Sequence, residues 1–209
     1  MGYGDDLFRN VAISGDIAII GAMRTGTREG SAYILSRDSD GINNWGLLKR
    51  IEAKDQSTSL NFGYSVAIHD QVAIVGSIPD GFTNEEGGVA FIYSKNRGGI
   101  DNWGKVKMVK ASDSVKNNQF GINVSISGNL AVVGGEDSDG IGAVYLYNKD
   151  TGGLNSWGEV KKIQANDISE FDYFGRSVSI DKNVIITGAF GDSSAGRSSG
   201  SAYLFQVNN

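Results

Sequence analysis

The sequence predicts an all-β fold: a β-propeller of four repeats, each a four-stranded antiparallel blade, the last lacking its outer strand. Three observations carry this. One strand pattern recurs four times with a period of about 55 residues. The turns are written in Gly, Asn, Asp and Ser, with thirty glycines and a single proline in 209 residues. The apolar residues either alternate or run in short blocks of strand length.

Val11, Val66, Val124 and Val178 anchor the repeats. Around them stand "LFRNVAISGDIAIIGA", "FGYSVAIHDQVAIVGS", "FGINVSISGNLAVVGG" and "FGRSVSIDKNVIITGA". A second block follows each ("GSAYILS", "GGVAFIYS", "GAVYLYN", "GSAYLFQ"), and a third, led by Trp45, Trp103 or Trp157, follows the first three. The repeats run approximately 7–61, 62–119, 120–173 and 174–209, within one domain spanning 1–209.

Each repeat reads as strands a to d. In strand a of the second repeat, Phe62, Tyr64, Val66 and Ile68 alternate with Gly63, Ser65 and Ala67, giving one bulky and one small face, neither charged. Such a strand can be covered on both sides. Strand b is a continuous apolar run (Ile17–Ile20, Val72–Val75, Leu130–Val133, Val184–Ile186), the mark of burial on both faces. Strand c carries Tyr33, Phe91, Tyr145 and Tyr203 in register. Strand d alternates again, and lysines such as Lys105 and Lys107 mark it as the outer edge. Twisted sheets covered on both faces and repeated in series fan around an axis, which favours a propeller over a flat stack.

The Phe-Gly of Phe62-Gly63, Phe120-Gly121 and Phe174-Gly175, with Leu7-Phe8 as a degenerate copy, resembles the FG-GAP repeat of integrin α propellers and of many bacterial surface or secreted proteins. The second half of the signature is Gly21-Ala22, Gly76-Ser77, Gly134-Gly135 and Gly188-Ala189. The resemblance implies a binding or adhesion role outside the cell or at its surface. It also implies calcium loops between strands a and b, but here those turns are only "SGD", "HDQ", "SGN" and "DKN". They are too short and too poor in carboxylate for the six to eight oxygens calcium takes, so no cofactor is expected. Integrin α propellers have seven blades; this chain holds four repeats. The six residues before Leu7 are too few to complete the fourth blade. The array therefore closes as a four-bladed ring with one short blade, belongs to a longer protein, or pairs with a second copy.

Composition excludes several function classes. With no cysteine, thiolate metal sites and thiol nucleophiles are absent. A net charge of −5 without a basic stripe argues against nucleic acid, and no apolar run approaches the length of a membrane span. The lone His69 reads as a solvated turn residue, not a catalytic base. Asn123 begins an "NVS" glycosylation sequence, but on an enclosed strand it reads as structural.

Binding is expected in the variable b–c loops, which share one end of the array with the d–a loops. Their acidic residues Asp80, Glu85, Glu86, Glu136, Asp137, Asp139 and Asp192 are the ligand candidates, with Glu136, Asp137 and Asp139 the one weak cation group. The c–d loops "RDSDGINNWG", "KNRGGIDNWG" and "KDTGGLNSWG" read as turn chemistry. Asp55, Asp113 and Asp167 read as caps on the turn leaving strand d. The tryptophans, at fixed repeat positions, read as blade-to-blade packing. The expected function is thus a non-catalytic binding module; the alternatives are a glycan-binding propeller or the accessory propeller of a secreted hydrolase.

Overall fold

The computed structural model describes residues 7–23, 30–52, 60–79, 87–113, 118–137 and 139–208. These form fifteen strands in four antiparallel sheets, and no helix is present among them. Blade 1 is β1 (Leu7–Ser14), β2 (Ile17–Ala22), β3 (Ser31–Ser36) and β4 (Gly46–Ile51). Blade 2 is β5 (Leu60–His69), β6 (Val72–Pro79), β7 (Val89–Ser94) and β8 (Gly104–Val109). Blade 3 is β9 (Asn123–Ser127), β10 (Leu130–Gly135), β11 (Ala143–Asn148) and β12 (Gly158–Ile163). Blade 4 has three strands, β13 (Phe174–Asp181), β14 (Val184–Ala189) and β15 (Ser201–Gln206). Every sheet keeps its strands in chain order, the meander of a propeller blade. His69 ends β5, so the turn itself is Asp70-Gln71, one residue later than the sequence suggests.

The cores lie between blades. Ile17, Ile19, Ala32 and Ile34 on the rear of blade 1 pack against Phe62, Val66, Ile68 and Phe91 on the front of blade 2. Ile74 and Ile92 meet Phe120, Val124, Ile126 and Tyr145 in the same way, and Val132 and Leu146 meet Phe174 and Ile180. The phenylalanine of each Phe-Gly sits edge-on to the strand-c aromatics of its own blade: Phe62 to Phe91 at 5.4 Å, Phe120 to Tyr145 at 5.3 Å and Phe174 to Tyr203 at 5.4 Å. Trp103 and Trp157 are buried in the first and second of these cores, whereas Trp45, on the first described blade, is exposed.

The glycine after the phenylalanine has a positive φ in all three copies (84° at Gly63, 92° at Gly121, 86° at Gly175), a conformation L side chains resist. It breaks the register of strand a and pushes its carbonyl into the preceding blade. There a second glycine receives it: a Cβ on Gly21, Gly76 or Gly134 would collide with the carbonyl oxygen of Gly63, Gly121 or Gly175. The two halves of the repeated signature are thus the two sides of one blade-to-blade contact.

Strand a packs on strand a from β1 to β5, β9 and β13. Among the described residues no comparable packing joins β13 to β1, so the four blades form an open arc and not the closed four-bladed ring.

The c–d loops share one turn. The side-chain oxygens of Asp38, Asn96 and Asp150 accept the backbone N–H of Asn43, Asp101 and Asn155, at 2.8, 3.1 and 3.0 Å. Asn123 likewise accepts the Val178 N–H at 3.3 Å, tying β9 to β13. The Asp113 carboxylate does more than cap its own turn. It reaches the next blade, accepting from the Tyr145 hydroxyl at 2.9 Å and the Lys162 ammonium at 2.6 Å. Asp167 stands in the same relation to Tyr203. In the second blade the corresponding strand-c residue is Phe91, which has no hydroxyl, and Asp55 lies outside the described residues. Burial acts to raise the Asp113 pKa, but the bonds from Lys162 and Tyr145 outweigh it and the value is lowered. Asp113→Ala leaves the Tyr145 hydroxyl without its acceptor and is expected to cost about 1–3 kcal/mol. An unchanged thermal midpoint would contradict the clamp.

Candidate functional site

The end of the arc that carries the b–c and d–a loops holds a cleft of about 520 Å³ on blade 4, lined among others by Phe171, Tyr173, Phe190, Asp192, Ser194 and Arg197. Phe171 and Tyr173 belong to the d–a loop, just before the Phe174-Gly175 pair, and Phe190 opens the b–c loop. Phe171 and Phe190 are more than half exposed. Tyr173 and Phe190 stack with parallel rings at 4.7 Å, and Phe171 lies tilted 6.4 Å from Tyr173.

The loops that carry these rings are pinned. Phe171 and Tyr173 both adopt a positive φ, 66° and 57°, a strained state for aromatic residues that the surroundings must enforce. They do so through main-chain bonds: the Phe171 N–H donates to the Asp139 carbonyl at 3.0 Å and the Tyr173 N–H to the Gly140 carbonyl at 2.7 Å. Gly191 gives the room, since a Cβ there would collide with the Phe171 carbonyl. The d–a loop of blade 4 is thereby clamped between the b–c loops of blades 3 and 4.

Arg176 ties the rings to the acidic loop. Its guanidinium lies 5.7 Å from the Tyr173 ring centre and 5.4 Å from that of Phe190, and Nη1 donates to Glu136 Oε2 at 3.1 Å. Glu136 is buried, and burial raises its pKa despite the Arg176 charge. At the corresponding level of the earlier blades the contact is apolar, with Met23, Tyr64, Ile78 and Ile122 packed together. At the interface of blades 3 and 4 an ion pair and exposed rings stand there instead.

The sequence-predicted acidic residues divide. Glu136 and Asp192 belong to this end of the array, Asp192 in the cleft wall itself. Asp137 accepts from the Asn118 amide at 2.5 Å, and burial raises its pKa. Asp139 turns back on the Ile141 N–H at 3.1 Å. The proposed cation trio therefore points to three different partners, and among the described residues no three His, Asp or Glu side chains converge as a metal site. Asp80, Glu85 and Glu86 lie outside the described residues.

Asp192 is buried and accepts from the Ser194 N–H at 2.7 Å and the Tyr203 hydroxyl at 3.2 Å. The backbone N–H and hydroxyl of Ser194, with help from Ser201 and Tyr203, bring its pKa from 3.8 down to about 2. A carboxyl depressed in the folded state contributes stability above its unfolded value and loses it as the pH falls toward the folded value. Wild type is therefore expected to lose thermal stability relative to Asp192→Asn between about pH 4 and pH 2. Parallel melting curves across that window would contradict this role.

Phe171, Tyr173, Arg176 and Phe190 were not among the sequence candidates. The available signal was a departure from the repeat: "EFDYFG" replaces "STSLNFG" and "KNNQFG", and Arg176 replaces Tyr64 and Ile122.

Comparison with known proteins follows the repeat. The model of the FG-GAP repeat matches residues 45–93, 103–147 and 157–205, most of the chain. The chain belongs to the FG-GAP repeat family. Each match runs from strand d of one blade through strands a, b and c of the next, taking in one Phe-Gly pair and one strand-b glycine. Integrin alpha-6 of Gallus gallus is 24% identical over 214 residues, covering 92% of this chain and 19% of its own length. The crystal structure of Sqt1 from Chaetomium thermophilum superposes with a TM-score of 0.57 at 13% identity, over 99% of this chain and 45% of that one. The FG-GAP chain thus spans about a fifth of the curated relative and under half of the solved structure. Among its described residues no helix is long and apolar enough to cross a membrane.

Proposed function

We propose that this FG-GAP chain is a non-catalytic binding or adhesion module acting outside the cell or at its surface, and that it holds a protein ligand on the loop end of blades 3 and 4. The observation that carries the reading is the pair of exposed rings, Phe171 and Phe190, on loops that the main chain and the Glu136–Arg176 pair hold rigid. Rigid, partly exposed aromatics beside a cleft are the residues that anchor protein interfaces, because they bury much apolar area with little side-chain entropy to lose. The family and the likeness to an integrin α chain support the same class of role. No cofactor enters this reading.

A glycan is the second reading. Exposed ring faces bordered by Asp192 and the hydroxyls of Ser193, Ser194 and Ser198 also suit a sugar. Trp103 and Trp157 take no part in it, being buried between blades.

The test is a panel of purified extracellular proteins and cell-surface glycans probed with wild type and with the Phe171→Ala, Phe190→Ala double variant. Wild type is expected to bind a member of the panel and the double variant to lose at least tenfold in affinity at unchanged melting temperature. Undiminished binding by the variant would move the site elsewhere, and a glycan hit lost in the variant would replace the protein ligand by a sugar.

A further inference from the structure

Three aliphatic side chains project where the fold has no use for them. Ile42, Ile100 and Leu154 are 91%, 90% and 85% exposed, more than any other large apolar residue among those described. They share one position in the repeat, three residues before the strand-d tryptophan, in "GINNWG", "GIDNWG" and "GLNSWG". Apolar residues exposed singly are ordinary on a protein surface. The same exposure at one place in three successive c–d turns is a pattern.

The turns hold these residues outward without using them. The Gly before each has a φ of 117°, 134° or 128°, and the Asn or Asp after it 57°, 53° or 56°. Main-chain bonds close the tip: the Asn44, Asn102 and Ser156 N–H groups donate to the Gly41, Gly99 and Gly153 carbonyls at 3.0, 3.3 and 3.1 Å. The side-chain oxygens of Asp38, Asn96 and Asp150 accept the next N–H in each loop. Polar contacts thus fix the tip, and none of the three aliphatic side chains belongs to a described interblade core. Turn chemistry accounts for the Gly and for the Asn or Asp, but not for the Ile or Leu between them.

We propose that this end of the array seats on a lipid bilayer, with Ile42, Ile100 and Leu154 inserted at the boundary between headgroups and acyl chains. Each blade is a meander, so the three c–d turns lie at one end, with the a–b turns and opposite the cleft. The tips are separate knobs with polar shoulders, among them Asn43, Asn44, Asn155 and Ser156. A protein would need a socket for each knob at the spacing of successive blades. An apolar layer under a polar one takes all three at any spacing. Charge points to the kind of bilayer. Residues 37–44, 95–102 and 149–156 hold one, two and one cations against two, one and one carboxylates. Asp16, Asp70 and Asp181 at the adjoining a–b turns outnumber Lys182. With no basic excess, apolar insertion is the attraction, and zwitterionic phosphatidylcholine suffices without anionic lipid. A chain seated in this way turns the blade 4 cleft away from the bilayer. The inference itself does not rest on the cleft's holding a ligand.

The test is flotation of the 209-residue chain with phosphatidylcholine vesicles, with and without phosphatidylserine, at low and high salt. Wild type is expected to float with phosphatidylcholine alone and to do so equally in high salt. Ile42→Asn, Ile100→Asn and Leu154→Asn are each expected to weaken partition about tenfold. Melting temperature is expected to stay unchanged, since these side chains join no core. The Phe171→Ala, Phe190→Ala double variant is expected to float as wild type does; its loss of flotation would put the bilayer at the cleft end and overturn the proposal. The chain has no cysteine, so Leu154→Cys and Ser193→Cys each carry a single polarity-sensitive dye, at opposite ends. Vesicles are expected to shift the emission of the first to the blue and to leave the second unchanged. Failure of wild type to float overturns the proposal, as does flotation that needs phosphatidylserine and is lost in salt. Undiminished flotation of the triple Asn variant overturns it too. A blue shift at Leu154→Cys given by a protein of the panel and not by vesicles would replace the bilayer by a protein.

Discussion

Gly134→Ala is expected to lower stability by about 3 kcal/mol or more, at the upper end of the range for overpacking a close contact. The added Cβ would collide with the main-chain carbonyl of Gly175. Main chain cannot rotate away as a side chain can, and Gly175 is itself fixed by the bulge that opens β13. Blade 4 must therefore shift as a body, which opens the core where Val132 and Leu146 meet Phe174 and Ile180. Gly188→Ala, the same change at the same place in the repeat, meets only the Ser177 hydroxyl within the chain and is expected to leave the fold of a single chain in place. Chemical denaturation of the two variants under conditions where each is a single chain measures the difference. Equal losses would mean that the glycines serve the strand and not the contact between blades.

Phe120→Ala is the second large effect, at about 3–5 kcal/mol for a fully buried phenylalanine. The ring is completely enclosed and stands edge-on to both Tyr145 and Tyr147, at 5.3 and 6.2 Å. Its removal leaves a cavity beside the rings of Tyr145 and Tyr147 in the second interblade core, with Ile74 and Ile92 on the far side. Rigid strands on both flanks limit how far the site can collapse. Phe120→Leu, which keeps part of the volume, is expected to recover part of the loss. Phe171→Ala, at an exposed ring of the blade 4 cleft, is expected to leave melting unchanged. Comparable destabilisation by Phe120→Ala and Phe171→Ala would contradict the division of the phenylalanines into core and site.

The blade was legible in the sequence because its contacts recur. Phe-Gly and the strand-b glycine are needed at every interface, so they repeat in register, and the edge lysines and c–d turn residues repeat with them. The ends of the arc were not legible. Leu204 is the same kind of residue as Ile34, Ile92 or Leu146, and Ile186 the same as Ile74; what differs is that no described blade of this chain packs on them, which strand patterning does not record. The reach of Asp113 was not legible: a carboxylate after a strand suits a turn cap, and its further partner Tyr145 lies in another blade. The cleft was half legible. Loop variability pointed to the end of the array that holds the cleft, and to Glu136 and Asp192 there, but an aromatic beside Phe-Gly reads as more core. Phe171 and Phe190 are exposed because the loops holding them are pinned outward by main-chain bonds and positive φ angles, features set by tertiary contact.

Hydrogen exchange on the chain alone and in complex with the panel member it binds tests the location of the site most directly. The account predicts new protection in residues 167–173 and 190–200, with no change in the a–b turns at Asp70-Gln71 and Lys182-Asn183 on the opposite end. Protection confined to the a–b and c–d turns would place the ligand on the other end of the array and contradict it.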